Sequence, residues 1–197
     1  MCNIINLTNI CIFNTLKYYF FIQGESILII LGIDPGYAIV GYGLLNYTNN
    51  KFTTLDYGVI TTNSNMEFPD RLLHIYERLK QIIQTQKIDA MSVEKLYFTT
   101  NQKTAIDVSQ ARGVIMLAAR RNNIAVFEYT PLQVKQAVAG YGKAGKAQVT
   151  EMTKRLLSIK ETPKPDDAAD ALAIAICHGF SSHSLLNKKR LKELINK

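Results

Sequence analysis

Five acids in this chain stand where simple packing does not ask for acids. Asp34 closes the apolar run Ile27 to Ile33 and is followed at once by Pro35-Gly36. Glu94 ends the apolar stretch Met91-Ser92-Val93. Asp166, Asp167 and Asp170 crowd the start of an alanine-rich segment that continues as Ala171-Leu172-Ala173. On a helix, Asp167 and Asp170 are spaced i,i+3, and Asp166 and Asp170 i,i+4, so either pair shares a face. An acid at a helix start is also a cap and a dipole partner, which accounts for Asp166 or Asp167. It accounts poorly for Asp170, which is followed by small apolar residues suited to close packing. If Asp34, Glu94 and such a helical pair converge, their charges repel and some must protonate, unless a divalent cation joins them. Hard oxygen ligands favour Mg²⁺ or Mn²⁺ over zinc. Two such ions about 4 Å apart activate water and stabilise a leaving oxygen in phosphodiester hydrolysis.

The elements that would carry these acids follow from pattern. The run Ile27 to Ile33 reads as a strand buried on both faces. Asp34-Pro35-Gly36 is a turn. Tyr37 to Tyr47 and Phe52 to Thr62 are β-rich and separated by Asn49-Asn50-Lys51, which reads as a hairpin. Leu72, Ile75, Leu79, Ile82 and Ile83 recur at helical spacing within Pro69 to Gln86. Ile88 to Leu96 reads as a fourth strand, Asn101 to Arg121 as a long helix, and Ile124 to Phe127 as a fifth strand. Helices follow at Pro131 to Ala139, Ala147 to Ser158 and Asp166 to Gly179, the last ended by its glycine. The order predicts an α/β domain whose five-stranded mixed sheet is flanked by helices.

The chain has 197 residues and a net charge of +7, with an isoelectric point near 9.3, which favours an anionic partner such as nucleic acid. The charge is uneven. After Leu185, Lys188, Lys189, Arg190, Lys192 and Lys197 stand against Glu193. Residues 183–197 are therefore a basic tail, and residues 27–182 the folded domain. Residues 1–26 look foreign to both: apolar, but punctuated by four asparagines and Lys17 within the first 24 residues. They have neither an uninterrupted membrane-length run nor the layout of a signal peptide. They are expected to be a disordered extension or the product of a start placed too far upstream. Cys2, Cys11 and Cys177 lack metal-ligand spacing and suit a reducing cytoplasm.

One stretch points elsewhere. Gly140 to Ala147 reads GYGKAGKA, one residue short of the phosphate loop G-x-x-x-x-G-K-S/T. Ala147 has no hydroxyl for Mg²⁺, and the stretch follows a helix instead of a strand. What remains is a flexible basic loop in which Lys143 and Lys146 can meet backbone phosphates.

Five segments together resemble the RuvC family of crossover junction endodeoxyribonucleases. They are L-G-I-D-P-G at 31–36, V-E-K-L-Y-F at 93–98, S-Q-A-R-G-V at 109–114, V-F-E-Y-T-P-L-Q-V-K at 126–135 and D-A-A-D-A-L-A-I-A at 167–175. The resemblance implies an RNase H-like fold, a homodimer, and Mg²⁺-dependent nicking of two strands of a four-way junction in recombination and repair. It implies a bacterial, cytoplasmic enzyme working with RuvA and RuvB, and no membrane. It places the catalytic and metal-binding acids at Asp34, Glu94, Asp167 and Asp170, which leaves Asp166 as an extra acid and expected cap. It marks Lys135 and Lys146 as phosphate contacts and Tyr97 as an aromatic that meets an unpaired base. Ser109 departs from the family's usual glycine, on a helix that the family uses for dimerisation. Two other readings fit parts of the pattern: an actin-like nucleotide-binding or kinase fold, and a non-catalytic junction-binding module.

Overall fold

The computed structural model describes the backbone of residues 27–96 and 102–195, and the side chains of 27–96 and 105–182. The expectations for residues 1–26, for Tyr97 and for the side chains of the basic tail lie outside these limits.

Strand β1 (Leu28–Asp34) lies at the centre of a five-stranded sheet ordered β3-β2-β1-β4-β5. It pairs antiparallel with β2 (Ile39–Thr48), which pairs antiparallel with β3 (Lys51–Thr61). On its other side β1 pairs parallel with β4 (Ala90–Glu94), and β4 parallel with β5 (Ala125–Tyr129). The β2–β3 turn rests on Asn49 and Asn50, both at positive φ (52° and 62°). Asparagine tolerates that conformation, and two such residues in succession make the tight turn whose twist matches the strands.

The parallel crossovers are made by α1 (Phe68–Gln84) and α2 (Gln102–Arg121), which cover one face of the sheet. There Leu31, Ile33, Met91 and Val93 pack against Ile75, Leu79, Ala111, Ile115 and Ala118, all fully buried. The other face is covered by α5 (Asp166–Ile195), with α3 (Pro131–Ala139) and α4 (Lys146–Leu156) beside it. Helix α3 opens on a complete capping box: Gln133 donates its backbone N–H to the Thr130 hydroxyl, and Thr130 donates its own to the Gln133 side chain. Pro131 sits in its first turn, and Gly140, at φ 85°, ends it in the left-handed conformation.

Two expectations change. Helix α5 does not end at Gly179 but runs on to Ile195. Gly179 serves packing: a Cβ built there would meet the Phe52 ring at 2.4 Å. The stretch GYGKAGKA is not a free loop. Ala144 is buried in the core beside α5, and Leu132 fills the space where a Gly142 side chain would stand. The segment joins α3 to α4 with no strand leading into it, so the nucleotide-loop reading loses its context. Among the described residues no helix is long and apolar enough to cross a membrane.

Candidate active site

Alternation along the strands decides which side chains face α5. On β1 these are Ile30, the place of Gly32, and Asp34; Leu31 and Ile33 face the other way. Asp34 pairs with Gly41 on β2, and Ile33 with Val93 on β4, which sets Glu94 level with Asp34. Glu94 in turn pairs with Tyr129 on β5. One cross-sheet row thus reads Gly41, Asp34, Glu94, Tyr129. Asp34 and Glu94 end adjacent parallel strands, with backbones roughly 5 Å apart.

Helix α5 brings the remaining acids to this row, and it can do so because of glycines. A Cβ at Gly41 would lie 2.0 Å from the carbonyl oxygen of Asp167, and one at Gly32 2.1 Å from that of Ala171. The first turn of α5 therefore rests on bare strand backbone, with Asp167 above Gly41 and next to Asp34. Sequence reasoning missed these glycines. The signal was present: Gly32, Gly41 and Gly43 fall inside strand patterns, where a glycine marks the close approach of another backbone.

The electrostatics show that the four acids converge. Burial, then Glu94, Asp170 and Asp167 in turn, raise the Asp34 pKa from 3.8 to about 7, with Lys146 opposing. Glu94 is raised by burial and by Asp170, and lowered by Lys135. Asp170 is raised by burial and lowered by Lys146. An open cleft of about 240 Å³ is lined by Glu94, Lys135, Lys146 and Asp170, with apolar walls that include Val134, Val149 and Ile174. Lys146 Nζ lies 3.2 Å from Asp170 Oδ2 and 3.2 Å from Asp166 Oδ2. Asp166, expected as a cap, thus sends its carboxylate across to α4. Lys143 is exposed on the α3–α4 connection and does not line this cleft.

The remaining polar residues near the site have structural work. His178 is buried, its pKa lowered to about 4 by that burial, and its Nδ1 lies 2.8 Å from the Tyr129 hydroxyl. Burial pushes the Cys177 thiol up to about 12, which leaves it unreactive. Arg112 on α2 is tied to Glu128 on β5.

The donor set fits a hard divalent cation: carboxylates only, crowded and buried enough that the Asp34 pKa is pushed up to about 7. Among the described residues no three acids are drawn tightly enough to enclose an ion as they stand. Asp170 is instead ion-paired with the Lys146 ammonium.

The family model for crossover junction endodeoxyribonuclease RuvC matches residues 30–178. The chain belongs to the RuvC family. The RuvC of Ruminiclostridium cellulolyticum is 56% identical over 154 residues, covering 78% of this chain and 93% of its own. The T. thermophilus RuvC, solved in complex with a Holliday junction substrate, superposes with a TM-score of 0.75 at 34% identity, over 79% of this chain and 94% of that one. The yeast mitochondrial Holliday junction resolvase shares the fold, with a TM-score of 0.62 at 14% identity. RuvC proteins are metal-dependent nucleases of RNase H-like fold. Asp34, Glu94, Asp167 and Asp170, the positions expected from the resemblance, are the acids that α5 and the strand ends bring together. Ser109, expected as a departure from the family's usual glycine, donates its hydroxyl to the Ala105 carbonyl one turn back at 2.7 Å.

Proposed function

We propose that this chain resolves four-way DNA junctions by nicking two strands symmetrically, in homologous recombination and repair. The observation that carries the reading is the placement of Asp34 and Glu94 at the carboxyl ends of adjacent strands β1 and β4, with the first turn of α5, which bears Asp167 and Asp170, seated on Gly41 beside them. These acids would hold Mg²⁺, or Mn²⁺ in its place, at two sites, and ions bound there would supply the Lewis-acid charge that phosphodiester hydrolysis needs. The chain's own lysines do the rest. Lys135 and Lys146 bind the phosphate at the cleft and offset its developing negative charge. The apolar walls from Val134, Val149 and Ile174 strengthen those charges by thinning the water around them. Lys143 meets the backbone further out, and Tyr97 stacks on an unpaired base.

Two symmetric cuts need two active sites, and α2 offers a surface for a homodimer. Ile106, Gln110, Gly113 and Leu117 form one exposed stripe along it, with Ile106 59% and Leu117 54% exposed. A Cβ at Gly113 would meet nothing within 4 Å, so this glycine is not required by packing within the chain. We place the nuclease domain at residues 27–182, with 1–26 an extension and 183–197 a basic tail, in a bacterial cytoplasm alongside RuvA and RuvB. N-terminal sequencing of the native protein tests the first boundary.

The decisive assay is a labelled four-way junction in Mg²⁺. Paired symmetric nicks that vanish in Asp170→Asn, while the junction is still bound, are expected. Cleavage unchanged by that substitution would remove the site assignment. Lys146→Ala is expected to slow single-turnover cleavage by about 10²- to 10³-fold, as for other lost transition-state donors, with junction affinity changed less than about threefold. Equal losses in rate and affinity would reduce Lys146 to a general phosphate contact.

A further inference from the structure

Asp166 stands outside the four motif acids, yet its carboxylate is as close to Lys146 as that of Asp170 is. Lys146 Nζ is 3.2 Å from each. The arrangement crosses between helices: Lys146 is the first residue of α4, while Asp166 and Asp170 lie one turn apart on α5. Stability does not account for it. The Lys146 side chain is 58% exposed and that of Asp166 73% exposed, and ion pairs so open contribute little to folding. A lysine at a helix start also faces the helix dipole unfavourably. Its ammonium is held there by the two carboxylates, and both bonds raise its pKa.

We infer that Asp166 is a positioning residue that shares the Lys146 ammonium with Asp170 and thereby keeps Asp170 available to the divalent cation. Asp170 faces two competing cations, a metal ion and an ammonium. With Asp166 present, the ammonium keeps a carboxylate partner when Asp170 turns to the metal. It also stays at the mouth of the cleft, where the phosphate arrives. Without Asp166, the ammonium has Asp170 alone, and the metal must displace it outright. The inference rests on the reading of the four acids as cation ligands.

The test is Mn²⁺ binding to the full-length, DNA-free protein, followed by electron paramagnetic resonance or calorimetry. Lys146→Met is expected to tighten Mn²⁺ by about thirtyfold, the effect of removing one unit charge some 4 Å from a divalent ion in a watery site. Asp166→Asn is expected to weaken Mn²⁺ by about fivefold or more in the wild-type background and by less than about twofold in Lys146→Met. Asp166→Glu, which keeps the carboxylate, should restore binding. If Asp166→Asn weakens Mn²⁺ equally with and without Lys146, Asp166 is only a distant negative charge, and the positioning role is overturned. If the wild-type protein binds no Mn²⁺ at all, the reading of the acid site fails, and the inference with it.

Discussion

Replacing Asp34 with asparagine is expected to abolish junction cleavage, by about 10³-fold or more, and to make the metal-free protein more stable. The two effects share a cause. An ordinary aspartate titrates near 3.8, and Asp34 in the fold near 7, because burial and three neighbouring acids oppose its charge. Below pH 4 the group is protonated in both folded and unfolded chains and makes no difference. Between pH 4 and 7 the unfolded chain loses its proton first, so stability falls as pH rises. Above 7 the full penalty is present, on the order of a few kcal/mol. Asparagine has the shape without the charge. Its gain in melting temperature in EDTA should be near zero at pH 4, grow through pH 7, and reach roughly 5 °C or more at pH 8. A gain independent of pH, or a loss at pH 8, would show that the acids do not meet as described. Saturating Mg²⁺ should narrow the gap, because the wild-type protein then regains by binding what its acids give up.

The second large effect concerns a residue with no chemistry. Gly41→Ala is expected to lower cleavage by about 10²-fold or more, while junction binding changes much less. A methyl group there needs the space held by the Asp167 carbonyl, 2.0 Å from where its Cβ would sit. Backbone cannot rotate aside as a side chain can, so α5 must lift at its first turn. Displacements of about 1 Å in a reacting constellation cost on the order of 10²-fold in rate, and overpacking of this kind costs about 1–3 kcal/mol in stability. Single-turnover rates, junction affinity and thermal melts on the same preparation separate the two losses. If Gly41→Ala cut at the wild-type rate, the acids on α5 would not need this seat.

Asp34, Glu94 and Asp170 were legible because each violates its surroundings: an acid at the end of an apolar strand, or an acid in an alanine-rich helix. The choice between Asp166 and Asp167 was not legible from spacing, since both share a face with Asp170. It took the family motif to name Asp167, and the seat on Gly41 gives that choice a physical reason. The strands were readable from β-branched runs, and the hairpin from its two asparagines. The end of α5 was misread because glycine has two uses in a helix, to stop it and to let a neighbour in, and only the position of Phe52 distinguishes them. The α3–α4 connection was read as mobile from its glycines and lysines. Ala144, one small apolar residue, pins it. Composition cannot show that kind of anchoring, because it depends on which cavity the residue meets.

The four acids lie at positions 34, 94, 167 and 170 of the chain, and the last two sit on the final helix. During synthesis that helix follows all five strands out of the ribosome. Until it docks on Gly32 and Gly41, the strand ends carry two carboxylates and no completed site. On the proposed reading of the acids, a nascent chain could meet DNA through its basic surface before it could cut. The ability to cut would wait for α5 to dock.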